Sequence, residues 1–253
     1  MNDLHIKAIQ LKAFRETSCQ SCSLRNFCLP VSLDLVEIER FDEIITRSRP
    51  IHAGEHLFRQ GNTFSSLFAI RSGCIKTYCL SDHGDEQITG FGLPSELIGF
   101  SGIDSKIYPV SAVAIKTTSV CEIPYSKFDQ LTDQMSSLKK QLIHSLSKEI
   151  RNDLRVKLLL GKKNAAERLS DFLLDIAARP KPAGYSCHYI VLPMSRDEIG
   201  NYLGLAAETV SRTLSRLQQD GLIKVDGRKI EILGIAALKA ISGPCILSGQ
   251  PYS

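Results

Sequence analysis

No stretch of the 253-residue chain approaches the run of about 18 apolar residues that a membrane-spanning helix needs. The N-terminus, Met1-Asn2-Asp3-Leu4-His5-Ile6-Lys7, lacks the charged n-region and apolar h-region of an export signal. Together these absences predict a cytoplasmic protein with no membrane partner. Net charge is also scarce. Lys and Arg total 31 against 27 Asp and Glu, and the resulting +4 is too weak to imply a nucleic-acid partner by itself. The composition that remains, 43% hydrophobic and 23% charged, is that of a globular protein. The length allows two domains, each with its own core.

Cysteine is not scarce. Eight are present, and Cys19, Cys22 and Cys28 fall within one short polar segment. An even count would suit disulfides in an exported protein, but without an export signal clustered cysteines read as metal ligands or redox groups.

Composition changes along the chain. Residues 1–30 form a cysteine-bearing segment without strong periodicity. From Pro50 to Tyr125, short runs rich in β formers alternate with turn signals such as Gln60-Gly61-Asn62, Ser72-Gly73 and Asp82-His83-Gly84-Asp85. Many short strands predict a sandwich or barrel, here a β-roll over residues 31–135. From Ser136 to Lys163 no proline occurs, the first glycine is Gly161, and Leu138, Leu142, Leu146 and Ile150 recur at helical spacing. A helix of this length predicts a partner helix, so residues 136–163 are expected to pair two copies of the chain. Asp153 lies on or beside the same stripe. Either it faces its symmetry mate and repels it, or it lies on the solvated flank. Gly161 is expected to loosen the end of this helix. A second helix, Ala165 to Ala178, stops at Pro180-Lys181-Pro182.

Residues 164–241 read as a winged helix-turn-helix. Ser195 and Glu198 form a capping box, and the helix they open stops at Gly204. A second helix follows to Gln219, with Val210, Leu214 and Leu217 inward and Glu208, Ser211, Arg212 and Arg216 on other faces. Leu222 to Val225 and Lys229 to Ile232, joined by Asp226-Gly227, form a hairpin, and Tyr189 to Leu192 is a β segment leading in. On such a helix Arg212 offers a fork to guanine and Glu208 accepts from cytosine, so the pair can read a G·C pair; buried, it would be an ordinary helical ion pair. The tail, 242–253, with Gly243-Pro244 and Gly249-Gln250-Pro251, is expected to be disordered.

This order of elements resembles the CRP/FNR superfamily of bacterial regulators, and most closely its FNR/ANR branch of oxygen-sensing regulators. The residues that carry the resemblance are Cys19-x2-Cys22-x5-Cys28-Leu-Pro, Phe58-x-x-Gly61, Ile70-Arg-Ser-Gly73, Gly84 to Phe91, Val120-Cys121-Glu-Ile-Pro124, Gly200 to Gly204 and Glu208-Thr-Val-Ser-Arg212. It implies an α+β protein: a cyclic-nucleotide-binding-like β-roll (jelly roll), a long dimerisation helix, and a C-terminal winged helix-turn-helix.

By resemblance, Cys19, Cys22, Cys28 and Cys121 hold one [4Fe-4S] cluster per subunit; from spacing alone, tetrahedral zinc is as good a reading. The dimer helix would use Leu142, Leu146, Ile150 and Asp153. Under oxygen-poor conditions the homodimer would bind TTGAT-type inverted repeats in duplex DNA through Glu208, Ser211 and Arg212, with Ala207 and Arg216 beside them. Oxygen would convert the cluster and favour monomers. Surface loops at Arg71-Ser72-Gly73 and around Gly84-Asp85 would touch RNA polymerase. Relatives that answer to cyclic AMP carry a phosphate-gripping Arg near Tyr108-Pro109-Val110-Ser111. None is present here, so no cyclic nucleotide is expected. Phe27, bulkier than the residue relatives often carry, bears on oxygen access. Cys74, Cys79, Cys187 and Cys245 have no assigned role. Two rivals are a regulator gated by haem or a nucleotide, and a thiol-disulfide enzyme using Cys19-x-x-Cys22; for the second the strand–helix setting is missing.

Overall fold

The computed structural model describes residues 18–179 and 188–243. The Pro180–Pro182 stop, Cys187, Cys245 and the tail beyond Gly243 lie outside the described residues. The chain divides into two compact units, Met1–Leu146 and Ser147–Ser253.

In the first unit a run of turns and a short 3-10 helix, Leu29–Ser32, lead into α1, Leu35–Ile44. A reciprocal cap opens α1: the Glu37 amide donates to the Asp34 carboxylate at 2.8 Å, and the Asp34 amide donates to Glu37 at 3.1 Å. The helix buries Ile38 and Phe41. A five-stranded antiparallel sheet follows, built from β1 (His56–Phe58), β2 (Ser66–Leu80), β3 (Glu86–Gly92), β4 (Leu97–Ile98) and β5 (Ser111–Pro124). Its order is β1-β5-β2-β3, with β4 paired to β2.

The expectation of many short strands needs correction, because two strands of 15 and 14 residues dominate the roll. They pair from Ser66 with Pro124 to Tyr78 with Ser111, and three register shifts bend them. One shift lies at Ser72-Gly73, read from sequence as a turn. Gly73 has φ +99°, and a Cβ there would sit 2.2 Å from Thr118 Oγ1, so glycine lets β5 close on the bulge. The Arg71–Gly73 segment is therefore part of strand β2 and not a surface loop. The roll interior is filled by aromatic rings. Phe58 stacks on Tyr108 with centroids 3.9 Å apart, and Phe64 meets the same ring edge-on.

Helix α2, Tyr125–Gln134, closes the roll, with Phe128 against Phe41. Helix α3, Ser136–Lys162, then runs for 27 residues, about 40 Å at 1.5 Å per residue. It passes through Gly161 unbroken, so the expected loosening at that residue is not found. Leu138 at its start is fully buried in the first unit's core.

The second unit is organised around α4, Ala165–Ala178, opened by an Asn164/Glu167 capping box and buried through Leu169, Leu173 and Ile176. Strand β6 (Tyr189–Val191), helices α5 (Arg196–Leu203) and α6 (Ala207–Gln219), strands β7 (Ile223–Asp226) and β8 (Lys229–Ile232), and helix α7 (Ile235–Ser242) follow. The sheet order is β6-β8-β7, so the wing gains a third strand from the segment read only as leading in. Among the described residues, no helix is long and apolar enough to cross a membrane.

Candidate nucleic-acid interface and cysteine centre

The reading head forms as its local chemistry dictates. The Glu198 amide donates to Ser195 Oγ at 3.1 Å, and the Ser195 amide donates to Glu198 at 2.8 Å, which starts α5. Gly204, at φ 62° and ψ 43°, ends it in the left-handed conformation that glycine adopts most readily. The turn is tight because Gly200 has no side chain: a Cβ there would lie 2.5 Å from the Leu205 carbonyl oxygen. Val210, Leu214 and Leu217 of α6 are buried, as the spacing predicts.

Glu208, Ser211, Arg212 and Arg216 all face solvent, and Ala207 is half-buried beside them. Glu208 and Arg212 form an ion pair at 2.6 Å with side chains 72% and 79% exposed. In solvent such a pair adds at most about 1 kcal/mol to stability, so both groups remain free to re-partner with base edges. The wing adds exposed Lys224, Arg228 and Lys229. Arg196 donates to the Gly227 carbonyl at 3.0 Å and Arg228 to the Pro193 carbonyl at 2.8 Å, fixing the hairpin to the unit.

Along α3, Leu142 and Leu146 are half-buried, whereas Ile143 and Ile150 are 57% and 60% exposed and Leu154 is 43% exposed. Asp153 is exposed on the adjoining face. Ile143, Leu146, Ile150 and Leu154 step along the helix at the three- and four-residue spacing of a pairing seam.

The cysteine centre is assembled from two distant pieces of the first unit. Cys19, Cys22 and Cys28 lie in a chain of tight turns, with the Arg25 amide donating to the Cys22 carbonyl at 3.0 Å and the Cys28 amide to the Leu24 carbonyl at 3.0 Å. Cys121 lies in β5, opposite Ala69 of β2. Cys19 and Cys121 lie in one buried cluster, Cys28 packs against it, and Cys22 is half-buried. Burial raises the pKa of Cys19 and of Cys121 and pushes Cys28 up to about 12. A thiol-exchange enzyme needs the reverse, a thiol lowered toward neutrality. Among the described residues, no three metal-binding side chains are placed to hold a single ion.

Two residues that sequence reasoning missed complete this centre. The Cys19 amide donates to Asp42 at 2.9 Å, and Asp42 is ion-paired with Arg47. Arg47 Nη2 stands 3.6 Å from Cys19 Sγ, and its Nε–H is buried with no hydrogen-bond partner. Cys19 and Cys121 share one buried cluster with Cys28 packed against it, and a guanidinium beside Cys19 suits an anionic, thiolate-held group. Nothing in local sequence pattern marks Arg47; only its tertiary surroundings do.

Of the residues expected to meet polymerase, Ser72 is exposed, Arg71 is half-buried and Gly73 is buried within β2. Gly84 and Asp85 are exposed in the β2–β3 turn, where Asp85 N–H donates to Ser81 Oγ at 3.1 Å.

A β-roll followed by a long helix and a winged helix-turn-helix defines a DNA-binding transcription regulator, and not an enzyme. Residues 48–135 match the cyclic nucleotide-binding domain family, and residues 167–241 match the Crp-like helix-turn-helix domain family. The chain is 50% identical to the transcriptional activator protein FnrA of Stutzerimonas stutzeri, over 94% of this chain and 97% of that one. It is equally similar, at 50% with the same coverage, to the transcriptional activator protein anr of Pseudomonas aeruginosa. Among solved structures, FixK2 from Bradyrhizobium japonicum matches at a TM-score of 0.72 and 30% identity, over 79% of this chain and 98% of that one. The chain belongs to the CRP/FNR superfamily of transcription regulators, in its FNR/Anr branch.

Proposed function

We propose that this regulator senses oxygen in the cytoplasm through one 4Fe-4S cluster per subunit, held by Cys19, Cys22, Cys28 and Cys121. As a homodimer it would then bind TTGAT-type inverted repeats when oxygen is scarce. The observation that supports this reading is that Cys19 of the N-terminal segment and Cys121 of β5 share one buried cluster, with Cys28 packed against it and Arg47 Nη2 3.6 Å from Cys19 Sγ. The names of its relatives supply the anaerobic context, among them the fumarate and nitrate reduction regulatory protein of Salmonella typhimurium, 44% identical over 89% of this chain and 90% of that one. When bound, the cluster supplies the oxygen-labile chemistry. The chain's own residues do the rest. Arg47 offsets negative charge among the thiolates, Asp42 fixes the Cys19 turn, and the packing of Cys19 and Leu29 in one cluster with Cys121 ties the N-terminal segment to β5.

The same first unit provides the start of α3, where Ser137 hydrogen-bonds Glu37 of α1 and Ser32 bonds Gln141 at 3.4 Å. Anchoring the N-terminal segment therefore steadies the helix whose apolar seam, Leu142, Leu146 and Ile150, pairs two subunits against Asp153. The divisions read from sequence serve this mechanism: 1–30 for the cluster, 31–135 for the roll, 136–163 for pairing and 164–241 for DNA. Glu208, Ser211 and Arg212 would read the bases, with Ala207 against a thymine methyl and Arg216 near the backbone. Gly84, Asp85 and the Arg71–Gly73 bulge would meet RNA polymerase. The stacked Phe58 and Tyr108 rings occupy the roll interior and weigh against a nucleotide or haem there.

Protein purified without oxygen should be coloured and bind a TTGAT inverted repeat, and titration with air should bleach the colour and release the DNA in parallel. A colourless, zinc-loaded protein that binds equally well in air would sink the oxygen reading.

A further inference from the structure

Arg168, in the first turn of α4, has no part in the DNA-reading or cluster chemistry described above. Its guanidinium nonetheless serves two helix ends at once. Nη2 donates to the Leu160 carbonyl at 2.9 Å and Nε to the Lys163 carbonyl at 2.8 Å, both at the C-terminal end of α3. Nη1 donates to the Leu203 carbonyl at 2.9 Å and reaches the Gly204 carbonyl at 3.4 Å, where α5 ends in the helix-turn-helix. The last carbonyls of a helix have no partner within it and carry the negative end of its dipole. A guanidinium is the one side chain whose rigid, planar fan of donors can span two such ends, and it stays charged at any working pH. Little room is left at this joint: a Cβ on Gly204 would lie 3.2 Å from Arg168 Nη1 and 3.5 Å from Leu160 Cδ2.

We infer that Arg168 is a positioning residue for DNA recognition: it locks the end of the long helix to the turn that aims α6, and so sets the distance between the two half-site readers of a dimer. Ala207, the first residue of α6, follows Gly204 by three positions, so a shift of the turn moves the recognition helix directly. In a dimer the two recognition helices must reach half-sites one DNA turn apart, so rotation at this joint acts on spacing before it acts on base choice. Stability of the unit is served separately, by the buried side chains of α4 and the charges around Asp171. The inference rests on α3 being the pairing helix, and Ile150→Glu tests that reading by itself through its effect on dimer formation.

The experiment uses the full chain purified without oxygen. The wild type first selects its preferred inverted repeat from random-sequence DNA, and binding is then compared on that repeat and on versions one base pair longer and shorter. Arg168→Gln should leave the dimer fraction in sedimentation unchanged, weaken binding to the preferred repeat by about tenfold, and cut the preference for native spacing at least several-fold. Gly204→Ala, which leaves Arg168 in place but pushes on its guanidinium, should relax spacing in the same direction, and Arg168→Lys should fall between. The affinity ratio on two spacings does not depend on how much protein is folded, so partial misfolding leaves it readable. A spacing preference equal to wild type in Arg168→Gln or in Gly204→Ala would overturn the inference. So would loss of DNA binding in step with loss of dimer.

Discussion

In the reading head the working side chains stand in solvent, above a buried cluster of charges drawn from the same unit. At the cysteine centre Cys19 and Cys121 are buried and Cys22 and Cys28 half-buried, beside the Asp42–Arg47 pair. Glu208 and Arg212 are mostly exposed, paired only with each other, while below them Asp171, 1% exposed, receives Lys163 at 3.2 Å and Ser242 at 3.1 Å. Cys19 and Cys121, by contrast, are themselves buried, with burial raising the pKa of both thiols and Arg47 Nη2 3.6 Å from Cys19 Sγ. A site that meets a large polyanion keeps its working groups at the surface, where the partner arrives. A site that holds a group inside must place its ligands where burial already disfavours their charged form.

The largest effect expected from breaking this contrast lies beneath the head. Arg155 meets Asp175 at 2.7 Å and Asp171 at 3.6 Å, so Arg155→Met would strip a cation from two inward carboxylates. Leaving a buried charge with no partner costs about 3–5 kcal/mol; here Asp171 keeps Lys163 and Asp175 keeps Arg179, so denaturant unfolding of the second unit should show a loss toward the lower end of that range. The pH dependence follows from the same group. Burial pushes the Asp175 carboxyl up, but Arg179 and Arg155 outweigh it and hold the pKa below the ordinary carboxylate range. Its stabilisation is therefore complete above the unfolded value, about pH 4, and is lost as pH falls below that toward the lowered pKa. Arg155→Met should make this acid loss shallower. An unchanged acid profile would mean that Asp175 is not the group responsible.

Next in size is the head's surface. Arg212→Ala should cost about 1–3 kcal/mol in DNA affinity and relax the choice of one base pair, with the salt slope nearly unchanged. If affinity falls uniformly across sequences and the slope shrinks, Arg212 touches phosphate and the base-reading assignment fails. Stability should barely move, because the exposed Glu208 partner contributes little. At the cysteine centre the balance should be reversed. Arg47→Gln should shorten the air lifetime of the anaerobic visible band by roughly tenfold, in the range typical of groups that orient metal ligands. An unchanged lifetime would reduce Arg47 to a fold-stabilising partner of Asp42.

How legible these regions were in the sequence follows the same division. The head was readable because its determinants are local: Ser195 and Glu198 cap each other across one turn, Gly204 stops the helix, and Asp226-Gly227 turns the hairpin. The roll was less readable, since β2 and β5 are long strands bent by bulges, and Ser72-Gly73 has the composition of a turn while Thr118 packs it into a strand. Helix α1 falls inside the span read as roll; its Asp34–Glu37 capping box is as local a signal as that of Ser195 and Glu198, but only Ile38 and Phe41 of its ten residues are buried, too few to set a helical period against the strands that follow. Helix α7 is shorter still: eight residues are too few to show a period. The four cysteines were assigned by resemblance, but Arg47 and Arg168 were not, because their partners lie far away in sequence or are backbone carbonyls, which no side-chain pattern announces.

The smallest effect concerns Asp153, where sequence left two readings open. Exposure of Asp153 beside an apolar seam of Ile143, Leu146, Ile150 and Leu154 permits both. If two Asp153 carboxylates meet across the two-fold axis, their repulsion in a watery setting is about 1 kcal/mol at contact distance, a factor of about five in the dimer constant. Asp153→Ala should then raise dimerisation of air-exposed protein by about that factor, measured by sedimentation at low salt. Added salt should narrow the gap between wild type and variant, since it screens the Asp153 repulsion that only the wild type has, while the Lys and Arg of the helix are common to both. A solvated-flank Asp153 would give no change at any salt concentration. The test also bears on the contrast between the two regions. A repulsion of this size is small enough for the ordering of one N-terminal segment to overcome, so the cysteine centre would need to contribute only a few kcal/mol to decide when the two reading heads meet.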